Sequence, residues 1–296
     1  MMRIVTRPDF DGVVCAVLIA DALAIRQLVQ WVEPNEFIRG RAEIRPGDVI
    51  ANLPYDPRCD MWFDHHSTNR IDKPFKGLFR IAPSAARNVF DYFHTRFKRD
   101  YSELADWADR IDSAHFTPDE VLHPERFDYV LLSMTISSEN GPEEDYWNKL
   151  VSLLAGRDIQ QVMADPDVAA RCRRIIQENS EYADWLKQCT RIEGQVAITD
   201  FRHLDHPPSG NRFLSYCLFP EVVVSVRIRY EDRKRQTVVV NIGHSIFNPR
   251  CNVHVGRLLA GFEGGGHRGA ASARFDVKKM NDYLSEIISR LVRNEG

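Results

Sequence analysis

Short apolar runs alternate with amphipathic stretches along the first half of the chain, and each apolar run ends on polar residues. Residues 3–6 read as a strand, 9–12 as a turn, and 13–29 as a helix with an apolar stripe; 48–53 and 61–64 are the next strands. Alternation of this kind predicts a parallel sheet with helices on its faces. Polar residues stand at the carboxyl ends of these strands, which is where open parallel sheets bind ligands. Pro83-Ser84 opens a helix that runs to about Phe93 with Ser84 as its cap, and Ser102 starts another capped helix that ends near Ile111. The pattern over 143–189 is helical almost throughout, broken at Asp165-Pro166.

Past that stretch the period changes. Residues 195–200 read as a strand, and 222–230 and 236–242 as two β-rich runs joined by the polar loop 231–235, a hairpin by spacing. A short helix over 252–261 leads into a glycine cluster, 273–275 reads as a last strand, and 278–293 as an amphipathic helix. The expectation is an α/β protein of two lobes: a parallel-sheet domain over 1–150, a helical linker over 151–193, and a smaller α/β domain over 194–296, with the active site in the cleft between the lobes.

Composition narrows the class. A chain of 296 residues has room for two ordinary domains, and 44% hydrophobic with 27% charged residues is the balance of a soluble globular protein. The longest apolar stretch, 13–20, is ended by Asp21 and falls short of the ~18 residues a membrane span needs. Asp9 and Asp11 interrupt the place where a targeting core would lie. Six scattered cysteines with no C-x-x-C pair suggest neither a zinc knuckle nor a disulfide framework, and a reducing cytoplasm fits. A formal net charge of -3 argues against capture of a nucleic-acid duplex, and leaves a small anionic substrate in a local basic site.

Four segments carry candidate chemistry. Asp9 and Asp11, two apart in a turn, can turn both carboxylates to one point and suit a hard cation such as Mn²⁺ or Mg²⁺, with Gly12 easing the path into the helix. Asp64-His65-His66 follows the apolar run Met61-Trp62-Phe63, so a carboxylate and two imidazoles leave one strand end. Asp112 sits in Ile111-Asp112-Ser113-Ala114-His115-Phe116. Gly264-Gly265-Gly266-His267 lets backbone approach a ligand closely, and its N–H groups suit an anion nest; Arg250 and Arg268 nearby are candidate phosphate partners. Trp107, Tyr129 and Trp147 read as core, and His203 and His206 as surface residues.

Taken together, the D-x-D-G, D-H-H, D-[ST]-[AG]-x-F and G-G-G-H segments resemble the DHH family of phosphoesterases, which includes RecJ-type exonucleases, nano-RNases acting on short oligonucleotides, and exopolyphosphatase-like proteins. The resemblance runs from residue 3 to about residue 275. It implies that His65 is the imidazole ligand of a second metal, that Asp112 completes the shell with Asp11, and that Asp109 is the competing choice for Asp112. It also implies that Asp64 supports the site from its edge and that His66 reaches the scissile phosphate. Gly264 to His267, followed by Ala270-Ala271, resembles the signature of the associated C-terminal substrate-binding domain, so His267 is expected to contact the substrate.

Two positions depart from the pattern. The family commonly places a histidine ahead of the first aspartate pair, where this chain has Val5, Thr6, Arg7 and Pro8. It also places an aspartate where Asn52 stands, and a neutral amide holds a divalent ion less strongly. Both losses fall on the first metal, so one expectation is a one-metal enzyme in which Arg7 fills the region of the missing cation, paired with Asp9. The resemblance thus implies a phosphoesterase using one or two Mn²⁺ or Mg²⁺ ions on a short single-stranded oligonucleotide, nucleoside bisphosphate, dinucleotide or polyphosphate. No duplex or membrane partner is expected, and a homodimer is compatible. The alternative is a nucleotide-binding regulatory protein without turnover.

Overall fold

The computed structural model describes residues 2–137 and 141–295 and divides into two compact units. The first comprises Met1–Phe116 and Pro124–Ile175, and the second Thr117–His123 and Ile176–Gly296. The division falls inside a helix, within the stretch expected as a linker.

In the first unit the elements are β1 (Arg3–Thr6), α1 (Phe10–Leu23), β2 (Gln30–Trp31), α2 (Pro34–Ile38), β3 (Asp48–Ala51), β4 (Met61–Asp64), β5 (Gly77–Phe79), α3 (Ala85–Phe93) and α4 (Ser102–Asp112). After α5 (Pro118–Leu122), which belongs to the second unit, come α6 (Asp128–Met134), α7 (Glu144–Gly156), α8 (Ile159–Met163) and the start of α9 (Pro166–Cys189). The five strands form a parallel sheet in the order β2-β1-β3-β4-β5. Val5, Ile50 and Trp62 stand in register across its centre, and all three are fully buried, which is why these strands read as near-continuous apolar runs. Trp62 stacks on Phe79 with centroids 5.3 Å apart, and its Nε1 donates to the Leu53 carbonyl at 2.9 Å.

The helix expected over 13–29 is shorter. It ends at Leu23 because Ala24 takes the left-handed conformation (φ 53°), and the chain then supplies β2. Apolar periodicity cannot mark that end, since Phe10 to Ile19 are all buried and the helix has no polar face over that length. Strands β2 and β5 were not expected; at two and three residues they are too short to show a period. Tyr129 and Trp147 are buried, and Trp107 stacks on Tyr129 at 5.4 Å.

The second unit continues with β6 (Thr190–Glu193), β7 (Val196–Asp200), α10 (Leu214–Leu218), β8 (Val224–Tyr230), β9 (Thr237–His244), α11 (Val255–Ala260), β10 (Gly264–Gly266), β11 (Ala270–Asp276) and α12 (Met280–Arg293). Its six-stranded sheet runs β10-β11-β9-β8-β7-β6, parallel only between β7 and β8. The expected hairpin is β8–β9. Val196, Ile198, Val226, Val240 and Phe275 pack with Leu259, Ile287 and Leu291 into one core beneath α11 and α12. All six cysteines are free thiols, and no described helix is long and apolar enough to cross a membrane.

Candidate active site

Strands β1, β3 and β4 end beside one another in the first sheet. Past β1 the chain turns into Asp9, the N-cap of α1, whose Oδ1 accepts the Gly12 N–H at 2.8 Å and Asn52 Nδ2 at 3.0 Å. Arg7 Nε stands 3.0 Å from the other oxygen, Oδ2. Gly12 admits no side chain here, since a Cβ would lie 1.9 Å from the Arg7 carbonyl oxygen. Asn52, buried and left-handed (φ 55°) just past β3, has its Oδ1 without a hydrogen-bond partner. Asp11 is buried and accepts the backbone N–H groups of Ala85 and Ala86 at 2.9 and 2.8 Å, at the start of α3, where helix N–H groups lack internal partners.

Asp64 closes β4 and is fully buried. Its Oδ1 accepts the His65 N–H and His66 Nδ1, each at 2.8 Å, and its Oδ2 accepts Asn69 Nδ2 at 2.7 Å. Committed to these donors, Asp64 orients its neighbours rather than reaching for a ligand. His65 Nδ1 lies 3.0 Å from the Ala82 carbonyl, which can only accept, so Nδ1 carries a proton and, in the neutral ring, Nε2 presents a lone pair. That buried Nε2 is 3.3 Å from Asp112 Oδ2, at the end of α4. One ligand atom each from Asp11, His65 and Asp112 lie within 4.8 Å of one another. Asp64, His65 and His66 form a second such group, in which Asp64 accepts hydrogen bonds from both histidines themselves. Asp109 is held elsewhere, by Ser84 Oγ at 2.6 Å and Arg87 Nε at 2.7 Å. The fold therefore brings Arg7, Asp9, Asp11, Asn52, Asp64, His65, His66 and Asp112 to one end of the sheet.

In the second unit the glycine cluster is an edge strand, β10, rather than an open nest. The His267 N–H donates to the Ala270 carbonyl at 2.8 Å, and the His267 and Arg268 carbonyls accept the Gly256 and Val255 N–H groups, each at 3.0 Å. Close packing explains the glycines: a Cβ on Gly264 would meet the Ser272 carbonyl oxygen at 2.4 Å, one on Gly256 would meet that of Gly266 at 2.1 Å, and Gly266 has φ 150°. Gly265 has open space where its side chain would be. His267, Arg268 and Arg250 are exposed, with Arg250 Nε donating to Asn248 Oδ1 at 2.8 Å and Arg268 donating to the Asn252 carbonyl at 3.5 Å.

No family model matches the sequence, and no curated protein matches it either. Solved structures do. The pGpG-specific phosphodiesterase PggH from Vibrio cholerae is 27% identical over 100% of both chains, with a TM-score of 0.86. That full-length likeness supports a DHH-family phosphoesterase. RecJ from Thermus thermophilus, in complex with Mn²⁺, is 12% identical, with 99% of this chain and 52% of that one covered at a TM-score of 0.62. An exonuclease RecJ bound to manganese is also 12% identical, over 99% and 90% of the two chains at 0.54. The likeness to these two is one of fold. The likeness to the phosphodiesterase supports a hydrolase of phosphoester bonds.

The donor set fits a divalent cation. Two carboxylates and one imidazole nitrogen with a free lone pair suit Mn²⁺ or Mg²⁺, and the Ala82 carbonyl behind His65 is the usual outer partner of a ligating imidazole. The electrostatics agree. Burial raises the Asp11 carboxyl well above the usual carboxylate range, and the nearby Asp112 and Asp9 raise it further. Burial also raises Asp9, against the pull of Arg7. Carboxylates crowded in this way are short of positive charge. The hydrogen bond to Asp64 raises His66, favouring its imidazolium form.

Sequence reading missed the residues that hold this arrangement in place. Asn88 on α3 is fully buried and donates from Nδ2 to the Asp64 and Arg80 carbonyls, both at 2.8 Å. Its signal was a polar residue inside the buried stripe Ala85, Ala86, Val89, Phe93. Ala114, two residues past Asp112, is left-handed (φ 53°), a conformation that a residue with a Cβ adopts at a cost.

Proposed function

We propose that the protein is a divalent-cation-dependent phosphodiesterase that cleaves a short linear dinucleotide carrying a 5′-phosphate. The observation that carries the chemistry is the convergence of Asp11, His65 and Asp112 within 4.8 Å, with His66 alongside. The full-length likeness to a pGpG-specific enzyme supports a dinucleotide over polyphosphate or a long strand, and the near-neutral net charge fits a substrate with few phosphates. Asp11, His65 and Asp112 would hold the cation. When bound, such an ion makes water nucleophilic at neutral pH and offsets charge on the phosphoryl oxygens. His66, oriented by Asp64 and favoured in its protonated form, donates a proton to the departing ester oxygen as the P–O bond breaks. His267, Arg268 and Arg250 in the second unit, which resembles the DHH-associated substrate-binding domain, would bind the rest of the nucleotide.

The test is product chromatography of 5′-phosphorylated diguanosine incubated with Mn²⁺-loaded protein, beside a nucleoside 3′,5′-bisphosphate, polyphosphate and a longer single strand. Two mononucleotides are expected from the dinucleotide, with activity lost on chelation and reduced at least about a hundredfold in His66→Ala. Binding of the dinucleotide without turnover, under every metal tried, would instead make the protein a nucleotide-binding regulator.

A further inference from the structure

We propose that Arg7 is a resident cation of this centre: it holds Asp9 out of metal coordination and meets a phosphate oxygen of the substrate itself, so that the centre works with one divalent ion. The proposal rests on the phosphoester-hydrolase reading and deepens it.

Three N–H donors already surround the Asp9 carboxylate. Gly12 N and Asn52 Nδ2 occupy Oδ1 at 2.8 and 3.0 Å, and Arg7 Nε occupies Oδ2 at 3.0 Å. Asn52 thus turns its amide nitrogen toward Asp9, the orientation that serves an anion needing donors rather than a metal needing oxygens. A divalent ion on Oδ2 would sit beside a guanidinium that never loses its proton, and the two like charges repel. Among the described residues, Asp9 belongs to neither group of acidic and histidine side chains that could hold a metal.

Asp9 is paired with Arg7, and Asp64 with His66. Arg7 is also placed to do more than neutralise. Its side chain is 40% exposed while Asp9 is 28% exposed, so the guanidinium is the outer member of the pair. With Nε engaged by Asp9, the terminal N–H groups can make the paired contacts to phosphate that a guanidinium favours. Arg7 would then take over the part of a second ion that grips the phosphate, and the single bound ion would supply the water.

The test counts ions and measures phosphate affinity without requiring turnover. Metal-stripped protein is titrated with Mn²⁺ and followed by electron paramagnetic resonance, which reports both the number of ions bound and whether two lie close enough to couple. The wild-type protein is expected to bind one uncoupled ion. Inorganic phosphate, titrated against the Mn²⁺-loaded protein, should bind about tenfold more weakly or worse in Arg7→Gln, the loss expected for a charge-assisted contact. The same variant frees Asp9 and should admit a second, weaker Mn²⁺. Arg7→Lys keeps the charge and should keep the count at one. Two coupled ions in the wild-type protein overturn the proposal with no variant needed. So does an Arg7→Gln protein whose ion count and phosphate affinity are both unchanged. A protein that binds one ion, loses phosphate on Arg7→Gln, yet cleaves no dinucleotide would sink the proposed substrate and leave this inference standing.

Discussion

Asn88 shows how much of the candidate centre depends on a residue outside the Asp11, His65 and Asp112 cluster. Its amide nitrogen ties the Asp64 carbonyl at the end of β4 to the Arg80 carbonyl. Asn88→Ala strips a donor from two carbonyls, at about 1–3 kcal/mol for each one left unsatisfied. It also removes Asn88 Oδ1, which has no hydrogen-bond partner of its own, so part of that loss is returned. The expected net loss is about 1–3 kcal/mol in urea unfolding, together with weaker Mn²⁺ binding as His65 loses its fixed position. Unchanged stability and unchanged Mn²⁺ affinity would show that the strand end holds itself. The acidic residues and histidines of this centre were legible because each lies in a short contiguous motif. Asn88 was not, because its partners are backbone carbonyls eight and twenty-four positions away.

At the scale of elements, helix ends and close backbone contacts set the chemistry. The first N–H groups of α3 fix Asp11, and the Ser84 side chain caps the same helix by accepting the Arg87 N–H at 3.0 Å. That cap was readable from Pro83-Ser84; its service to Asp11, more than seventy residues earlier, was not. In the second unit the contact of β10 with α11 leaves no room for a methyl group at Gly256. Gly256→Ala should therefore displace β10 and, with it, His267. Both Gly256→Ala and His267→Ala are expected to raise KM for the dinucleotide about tenfold while leaving Mn²⁺ affinity as it was, because the cation ligands all belong to the first unit. Calorimetric titration with Mn²⁺ decides this: lost metal affinity in His267→Ala would place that imidazole in the metal shell.

At the scale of the molecule, two cores fold around two sheets, and the proposed cation ligands all belong to the first. Mn²⁺ at a hundred times its dissociation constant should stabilise the protein by about 2.7 kcal/mol. Hydrogen exchange should show the added protection in the first unit, around residues 9–12, 64–66 and 82–88. Uniform protection of both units would mean that the ion acts elsewhere. The pH dependence has a definite sign. Asp11, raised in the folded protein, contributes stability that is fully present below its unfolded pKa of about 3.9 and is lost as pH rises through its folded value. Metal-free protein thus loses that contribution on the alkaline side, where the ionised carboxylate binds Mn²⁺ best. The gap in Tm between Mn²⁺-loaded and metal-free protein should be widest at alkaline pH and close on acidification above the range of an ordinary carboxylate. A gap that does not change with pH would exclude Asp11 as a ligand.

The order of apolar and polar residues determined by itself that the chain builds a parallel α/β unit followed by a second, hairpin-bearing one, because strand and helix periods are local properties. It also placed Asp9, Asp11, Asp64, His65, His66 and Asp112 at element ends, because loops tolerate the polar residues that cores exclude. Only the tertiary structure decided which of these carboxylates come together and which are held apart. Asp64 is taken by His66 and Asn69, Asp109 by Ser84 and Arg87, and Asp9 by Gly12, Asn52 and Arg7, while Asp11 and Asp112 meet at His65. The physical reason is that the partners of each carboxylate arrive from several strands and helices at once, which no local stretch of sequence records.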